Sequence, residues 1–280
     1  MKKLNYPNLD DFIRNALEED VGTGDITTNY CVAESAISTG NFIAKEPGVI
    51  SGLDVLFRVF QLIDSAVNVT LLVNDGDTVD TGDIIAHIEG SSRAILTGER
   101  TALNILQHMS GIATRTARAV LEINGTNTKI LDTRKTTPGM RTLDKYAVTC
   151  GGGTNHRYNL ADGILIKDNH IQAAGSITKA VQSMTDVRNK SSIGIEVETE
   201  TLKQVEEAIA AGADIVMLDN MSLDTMSQAV KLINGRAKTE ASGNMGDHSL
   251  RDVANTGVDY ISIGALTHSV KALDISLRFG

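Results

Sequence analysis

From about residue 128 onward the chain repeats one theme: a short aliphatic run, a polar cluster at its end, then apolar residues three or four apart. The runs are KILDT (129–133), GILIKDN (163–169), IGIEVET (193–199), DIVMLDN (214–220), KTEASGN (238–244) and DYISIGA (259–265). Between them Leu202, Val205, Ala208 and Ile209, and later Met226, Val230 and Ile233, keep helical spacing. Alternating strand and helix requires parallel strands joined by helical crossovers, which leaves few architectures open. An open doubly wound sheet and a (β/α) barrel both satisfy it. The barrel is preferred, because no GxGxxG fingerprint follows the first strand.

Polar residues gather at the C-terminal strand ends, where either architecture holds its ligands. They are Arg134 with Lys135, Lys167 to His170, Glu196 with Glu198, Asp219 with Asn220, Ser242 to Asn244, and Gly264 with Ala265. Period-two alternation puts Glu196 and Glu198 on one face of their strand, so at least one points into the mouth of the site.

The first third of the chain has a different pattern. Residues 36–50 and 67–90 alternate apolar and polar positions and carry Asp-Gly turns, the signature of antiparallel strands, while 9–19 and 53–63 read as helices. The VNDGDTVDTGDIIAHIEG hairpin is similar to swinging-arm carrier domains, but no Lys occupies its turn, so a packing role is expected. A long amphipathic helix over about 97–122 follows, with Ala102, Leu103, Ile105, Leu106, Met109 and Ile112 on its apolar side and Arg100 near its start. The expected organisation is an N-terminal α+β sandwich over 1–110 and an α/β barrel over 111–280, with the C-terminal tail packing back on the first domain.

Charge is informative because it is local. With 35 acidic and 26 basic residues the chain carries a net charge of −9, yet Arg134, Lys135, Arg141, His156, Arg157, Lys167 and His170 fall within one segment threaded with Gly, Thr and Asn. That combination predicts a focused anion pocket on an otherwise acidic protein. Arg binds planar oxyanions bidentately and Lys acts as a point charge, so the expected substrates carry several carboxylates or phosphates. His156, between Asn155 and Arg157 in a Gly-rich loop, is assigned to anion binding before proton transfer. Glu196, Glu198 and Asp219 suit sugar hydroxyls or Mg²⁺, and the Ser242-Gly243-Asn244 and Gly264-Ala265 loops suit a phosphate.

The acidic balance, without aromatic residues interleaved among basic ones, argues against nucleic acid as partner. No run approaches a membrane span, and the start MKKLNYPNLDDF has no apolar stretch behind its lysines. A cytoplasmic location is expected. Cys31 and Cys150 have no metal or CxxC spacing and read as reduced thiols.

Several motifs are specific enough to name a family. EDVGTGDITT (19–28), GERTALNILQHMSGIATRT (98–116), the block from Asp132 to Ile171, IEVET (195–199), MLDN (217–220), EASGN (240–244) and GVDYISIGALTHS (257–269) resemble quinolinate phosphoribosyltransferases over nearly the whole chain. The resemblance implies an α/β fold, an N-terminal sandwich with an incomplete barrel. It implies a homodimer in which one subunit's N-terminal domain covers the other's barrel mouth. It further implies that quinolinate and phosphoribosyl pyrophosphate, with Mg²⁺, give nicotinate mononucleotide, pyrophosphate and CO₂ for NAD synthesis. By motif position Arg100, Thr133, Arg134, Lys135, His156, Arg157 and Lys167 would hold the anionic groups. Lys135, Glu198 and Asp219 would be catalytic, the two acids meeting ribose and metal, and Ser242, Gly243, Asn244, Gly264, Ala265 and His268 would line the phosphate site. Family members often have Arg where this chain has Lys45. A Schiff-base aldolase using Lys167, a sensor of pyridine carboxylates and a phosphoribosyltransferase for another ring are the competing readings.

Overall fold

The computed structural model describes residues 4–191, 193–245 and 248–280. In chain order it begins with helices α1 (Leu9–Val21) and α2 (Ile26–Cys31), strands β1 (Ile37–Ala44) and β2 (Gly48–Val49), helix α3 (Leu53–Ile63), strands β3 (Asn68–Leu71), β4 (Thr78–Val79) and β5 (Ile84–Ser91), and the long helix α4 (Ser92–Glu122). Strand β6 (Lys129–Leu131), helix α5 (Arg141–Cys150), strand β7 (Ile164–Ile166) and helices α6 (Asp168–Ala174), α7 (Ile177–Ser183) and α8 (Thr185–Ser191) follow. The alternation then becomes regular: β8 (Ile195–Thr199), α9 (Leu202–Ala211), β9 (Ile215–Asp219), α10 (Leu223–Ile233), β10 (Lys238–Ser242), α11 (Leu250–Asn255), β11 (Tyr260–Ser262), α12 (Ala265–His268) and β12 (Ile275–Phe279).

Two compact units result. One takes the chain up to Ala117, Thr137–Gly152 and Ser269–Gly280; the other takes Arg118–Thr136 and Gly153–His268.

The first unit is built on an antiparallel sheet in the order β12-β1-β5-β3. β1 pairs with β5 on one side and with β12 on the other, Phe42 lying opposite Leu277. Alternation along β1 buries Phe42 and Ala44, and β5 adds Ile85 and Ile88. Leu56, Val59 and Phe60 of α3 and Leu103, Leu106 and Met109 of α4 complete this core. All six residues expected on the apolar side of α4 are buried. One expectation is corrected: the 73–90 segment is no hairpin of its own, because β4 pairs with β2 while β5 pairs with β1 and β3. Backbone bonds from Ile50 to Asp77 and from Gly76 to Ile50 hold the β2–β4 contact, and Val79 is buried by it.

In the second unit all six expected strands form, parallel, in the order β6-β11-β10-β9-β8-β7. Each strand pairs with its neighbour in sequence except that β6, the first, joins β11, the last. Helix starts follow capping chemistry: the side chains of Ser176, Thr201, Ser222 and Ser249 each accept a backbone N–H of the first turn. Thr201 and Gln204 form a capping box, and Gly212 ends α9 in the left-handed region. One face of the strands packs on these helices through Ile130, Ile166, Ile195, Val197, Val216, Leu218, Ala241 and Ile261. The alternate positions Lys167, Glu196, Glu198, Asp219, Glu240, Ser242 and Ser262 fall on the other face. A parallel sheet ordinarily buries aliphatics on both faces. Here the second face mixes Leu131, Leu165 and Met217 with these polar residues.

Candidate functional site

The polar face brings together three groups of residues at adjoining strand ends. The first begins after β6. Asp132 is fully buried, and its carboxylate accepts the backbone N–H of His156 at 2.8 Å, which pins the Gly153–Arg157 loop to the strand. His156 turns its Nε2 towards Glu196 on β8 (3.1 Å) and Glu240 on β10 (3.5 Å) and accepts the Arg157 N–H at Nδ1 (2.7 Å). The Arg157 guanidinium donates to the Gly163 carbonyl at 2.9 Å. Burial and the nearby Arg134 charge hold Arg157 below its ordinary pKa, with Glu196 partly offsetting them. Burial, then the neighbouring Glu196, pushes the Glu240 carboxyl up to about 8. With Glu240 keeping its proton near neutral pH, Arg134 and Arg157 stand beside Glu196 in a polar recess that suits an anion.

The second group lies at the ends of β7, β8 and β9. Lys167 Nζ stands 3.5 Å from Glu198 Oε2. Burial raises the Glu198 pKa, Lys167 lowers it, and Asp219 and Asp168 raise it again. Glu198 and Asp219 stand near the ends of the adjacent strands β8 and β9. Asn220 follows in the left-handed region (φ 53°), and its side chain donates to Asp219 at 2.7 Å. Asn220 N–H also bonds the Ser242 carbonyl across to β10. That crossing requires Gly243, whose φ is 89° and where a Cβ would lie 2.2 Å from Asn220 Oδ1.

The third group surrounds β11. A Cβ on Gly264 would meet Lys135 Cδ at 3.0 Å and His268 Cδ2 at 3.1 Å, so the absence of a side chain there lets Lys135 and His268 approach one another. Thr267 Oγ1 donates to the Lys135 carbonyl (2.8 Å), and Lys135 N–H donates to Thr133 Oγ1 (3.0 Å), which ties the turn after β6 to α12. Ala265 opens α12, and Ser242 and Asn244 (φ 51°) flank Gly243.

Thirteen residues expected from sequence therefore share one sheet end: Thr133, Arg134, Lys135, His156, Arg157, Lys167, Glu198, Asp219, Ser242, Gly243, Asn244, Gly264 and Ala265. His268 joins them at the close of α12. Arg100 lies on α4 in the other unit, where it is exposed. Sequence reasoning gave no role to Asp132 or Glu240, and it grouped Glu196 with Glu198 although Glu196 sits deeper, against His156. The signal for Glu240 was present: it shares the two-residue period with Ser242 in KTEASGN, as Glu196 does with Glu198. Similarly His108, given no role, pairs with the fully buried Asp144 at 2.8 Å in the first unit.

Residues 25–110 match the family model described as the N-terminal domain of quinolinate phosphoribosyl transferase, and residues 112–278 match its C-terminal domain. The chain belongs to the quinolinate phosphoribosyltransferase family. A probable nicotinate-nucleotide pyrophosphorylase (carboxylating) of Bacillus subtilis is 46% identical, the match covering 98% of this chain and 94% of that protein. A decarboxylating quinolinate phosphoribosyltransferase of Nicotiana tabacum is 43% identical over 97% of this chain and 82% of its own length. The structure of the nicotinate-nucleotide pyrophosphorylase from Francisella tularensis superposes with a TM-score of 0.93 at 43% identity, covering 99% of this chain and 98% of that one.

Proposed function

We propose that the protein transfers the phosphoribosyl group of phosphoribosyl pyrophosphate to the ring nitrogen of quinolinate and releases pyrophosphate and CO₂, giving nicotinate mononucleotide for NAD synthesis. The observation that carries this reading is the set of Arg134, Lys135, Arg157 and Lys167 beside Glu198 and Asp219 at one sheet end of an acidic chain. A dicarboxylate and a pyrophosphate ester repel one another, and several cations offset that repulsion as the reacting atoms meet. Arg134, Arg157 and Lys167 suit the two quinolinate carboxylates; Lys135, with the Ser242–Asn244 and Gly264–Ala265 turns, suits the phosphates. Arg100 and Lys45 are candidates for further anion contacts.

Departure of pyrophosphate develops positive charge on the ribose, which the carboxylates of Glu198 and Asp219 stabilise. Ribosylation makes the ring nitrogen cationic. The adjacent carboxylate then leaves as CO₂, its bonding electrons remaining on the ring carbon beside that charge until a proton arrives. Glu198 and Asp219 also suit Mg²⁺, as hard oxygen donors near the ends of the adjacent strands β8 and β9; the ion would neutralise charge on the pyrophosphate. The strand order, cyclic with one open seam between β6 and β7, supports an incomplete barrel. We further propose a cytoplasmic homodimer; among the described residues no helix is long and apolar enough to cross a membrane. Initial rates with quinolinate against nicotinic acid test the assignment. Mononucleotide and CO₂ are expected from quinolinate, and preferential use of nicotinic acid would reject it.

A further inference from the structure

The His156 imidazole is held from both sides. Its Nδ1 accepts the Arg157 backbone N–H at 2.7 Å, and a nitrogen that accepts carries no proton, so the proton of the neutral ring sits on Nε2. That N–H points to Oε2 of Glu196 at 3.1 Å, with Oε2 of Glu240 at 3.5 Å. The same three side chains bring their ligand atoms within 4.8 Å of one another, a spacing that suits a metal ion. A metal would need the lone pair of Nε2, which in this tautomer is bonded to hydrogen. The cluster is therefore a hydrogen-bond network and not a ligand set.

The network is costly to keep. Both glutamates are buried, at 4% and 1% exposure, and each retains an Oε1 with no hydrogen-bond partner. They line a cavity of about 430 Å³ together with His156, Arg157 and Tyr260. Unsatisfied buried acceptors and neighbouring acids destabilise a fold, so stability does not explain them. Their geometry leads instead to Arg157. Glu196 and Glu240 converge on the His156 Nε2, the ring's Nδ1 holds the N–H of Arg157, a cation of the anion site, and Asp132 clamps the same loop through the His156 N–H.

We infer that Glu196 and Glu240 are positioning residues for quinolinate: they fix the His156 ring, the ring fixes the Arg157 backbone, and Arg157 is thereby aimed at the dicarboxylate. The inference rests on the quinolinate reading of this site and adds residues that touch neither substrate. It assigns His156 an orienting task in place of a direct anion contact. Because the two acids act through the ring, their loss weakens binding of one substrate and leaves the chemistry of the other in place.

The test compares Glu196→Leu with Glu196→Gln in the full chain. Gln keeps an acceptor for the Nε2 proton and Leu does not. The Leu variant is expected to weaken quinolinate binding, measured by calorimetry and as KM, by tenfold or more, while kcat and the KM for phosphoribosyl pyrophosphate stay within threefold. The Gln variant is expected to recover most of the loss. Should Glu196→Leu fail to fold, the double change Glu196→Leu with Glu240→Leu, which leaves no glutamate beside the His156 Nε2, carries the same measurement. Nitrogen-15 shifts of His156 add an independent readout: the Nε2–H tautomer is expected in the wild type and in the Gln variant. Unchanged quinolinate affinity in the Leu variant, equal loss for both substrates, a Gln variant as impaired as Leu, or an Nδ1–H tautomer in the wild type would each overturn the inference. Turnover of quinolinate by the wild type is measured in the same series, so failure of the reaction assignment is seen separately.

Discussion

Lys135 and Lys167 are both exposed cations at the sheet end, and neither is buried deeply enough for the core to depend on it. Lys135→Ala removes a charge beside Arg134 and Lys167→Ala loses only a half-exposed pair with Glu198, so neither variant should melt much earlier while kcat/KM falls by about a hundredfold, about 3 kcal/mol of transition-state stabilisation. Near-normal turnover in both would remove them from the site. Asp219 separates the acids from the cations: Asp219→Asn should impair use of phosphoribosyl pyrophosphate and alter the Mg²⁺ dependence, yet leave quinolinate binding to the free enzyme nearly intact. Tighter quinolinate binding with an unchanged Mg²⁺ requirement would mean that the carboxylate only balances the lysines. Glu240 is testable through pH. Its pKa is raised in the folded protein, to about 8, so the folded state holds a proton that the unfolded chain has released above the ordinary glutamate range. The stability this contributes is full below about pH 4.5 and is lost as pH rises through 8; in Glu240→Gln, denaturant titrations should show that slope flattened. These residues differ in how far sequence revealed them. Lys135, Lys167 and Asp219 stand at ends of aliphatic runs, where polarity is conspicuous. Glu240 and Asp132 lie inside or directly behind such runs, and only the pairing of β8 with β9 and β9 with β10 shows which acids share a face.

Element existence was legible and element partnership was not. The six parallel strands announce themselves through aliphatic runs of suitable length, and Ser or Thr caps mark where α7, α9, α10 and α11 begin. Periodicity does not say what a strand pairs with, and so the two-residue β4 was read into a hairpin with β5 when its partner is β2. Cap chemistry gives a control that separates stability from function. Thr201→Ala, remote in role from the anion site, should cost about 1 kcal/mol and lower the melting temperature by about 2–4 °C with kcat/KM unchanged. Gly243→Ala should behave in the opposite way. Its backbone at φ 89°, and a Cβ that would lie 2.2 Å from Asn220 Oδ1, leave no room for a methyl group, so the β9 and β10 turns must move apart. A loss of at least tenfold in kcat/KM for phosphoribosyl pyrophosphate is expected; a fully active, well-folded Ala variant would show that these turns do not meet the phosphate.

At the scale of the molecule, the proposed dimer predicts that specific activity falls on dilution as subunits separate, followed by sedimentation at the assay concentration. A fully active monomer would contradict it. The first unit was only half visible in the sequence, because its sheet is completed by a strand more than 230 residues away from its neighbour: Phe42 of β1 faces Leu277 of β12. Nothing in the local pattern of ISLRF distinguishes that partner from another. The same pairing orders events during synthesis. β12 is translated after every other described element, so the sheet that begins forming with residue 37 keeps an open edge until the ribosome has made the rest of the enzyme. Strands β7 to β11, contiguous within residues 153 to 268, can pair as they emerge, whereas the unit that starts first closes last. A chain broken off before Ile275 would carry every expected phosphate and carboxylate ligand and still expose an unpaired strand, marking it for removal by the cell's quality control.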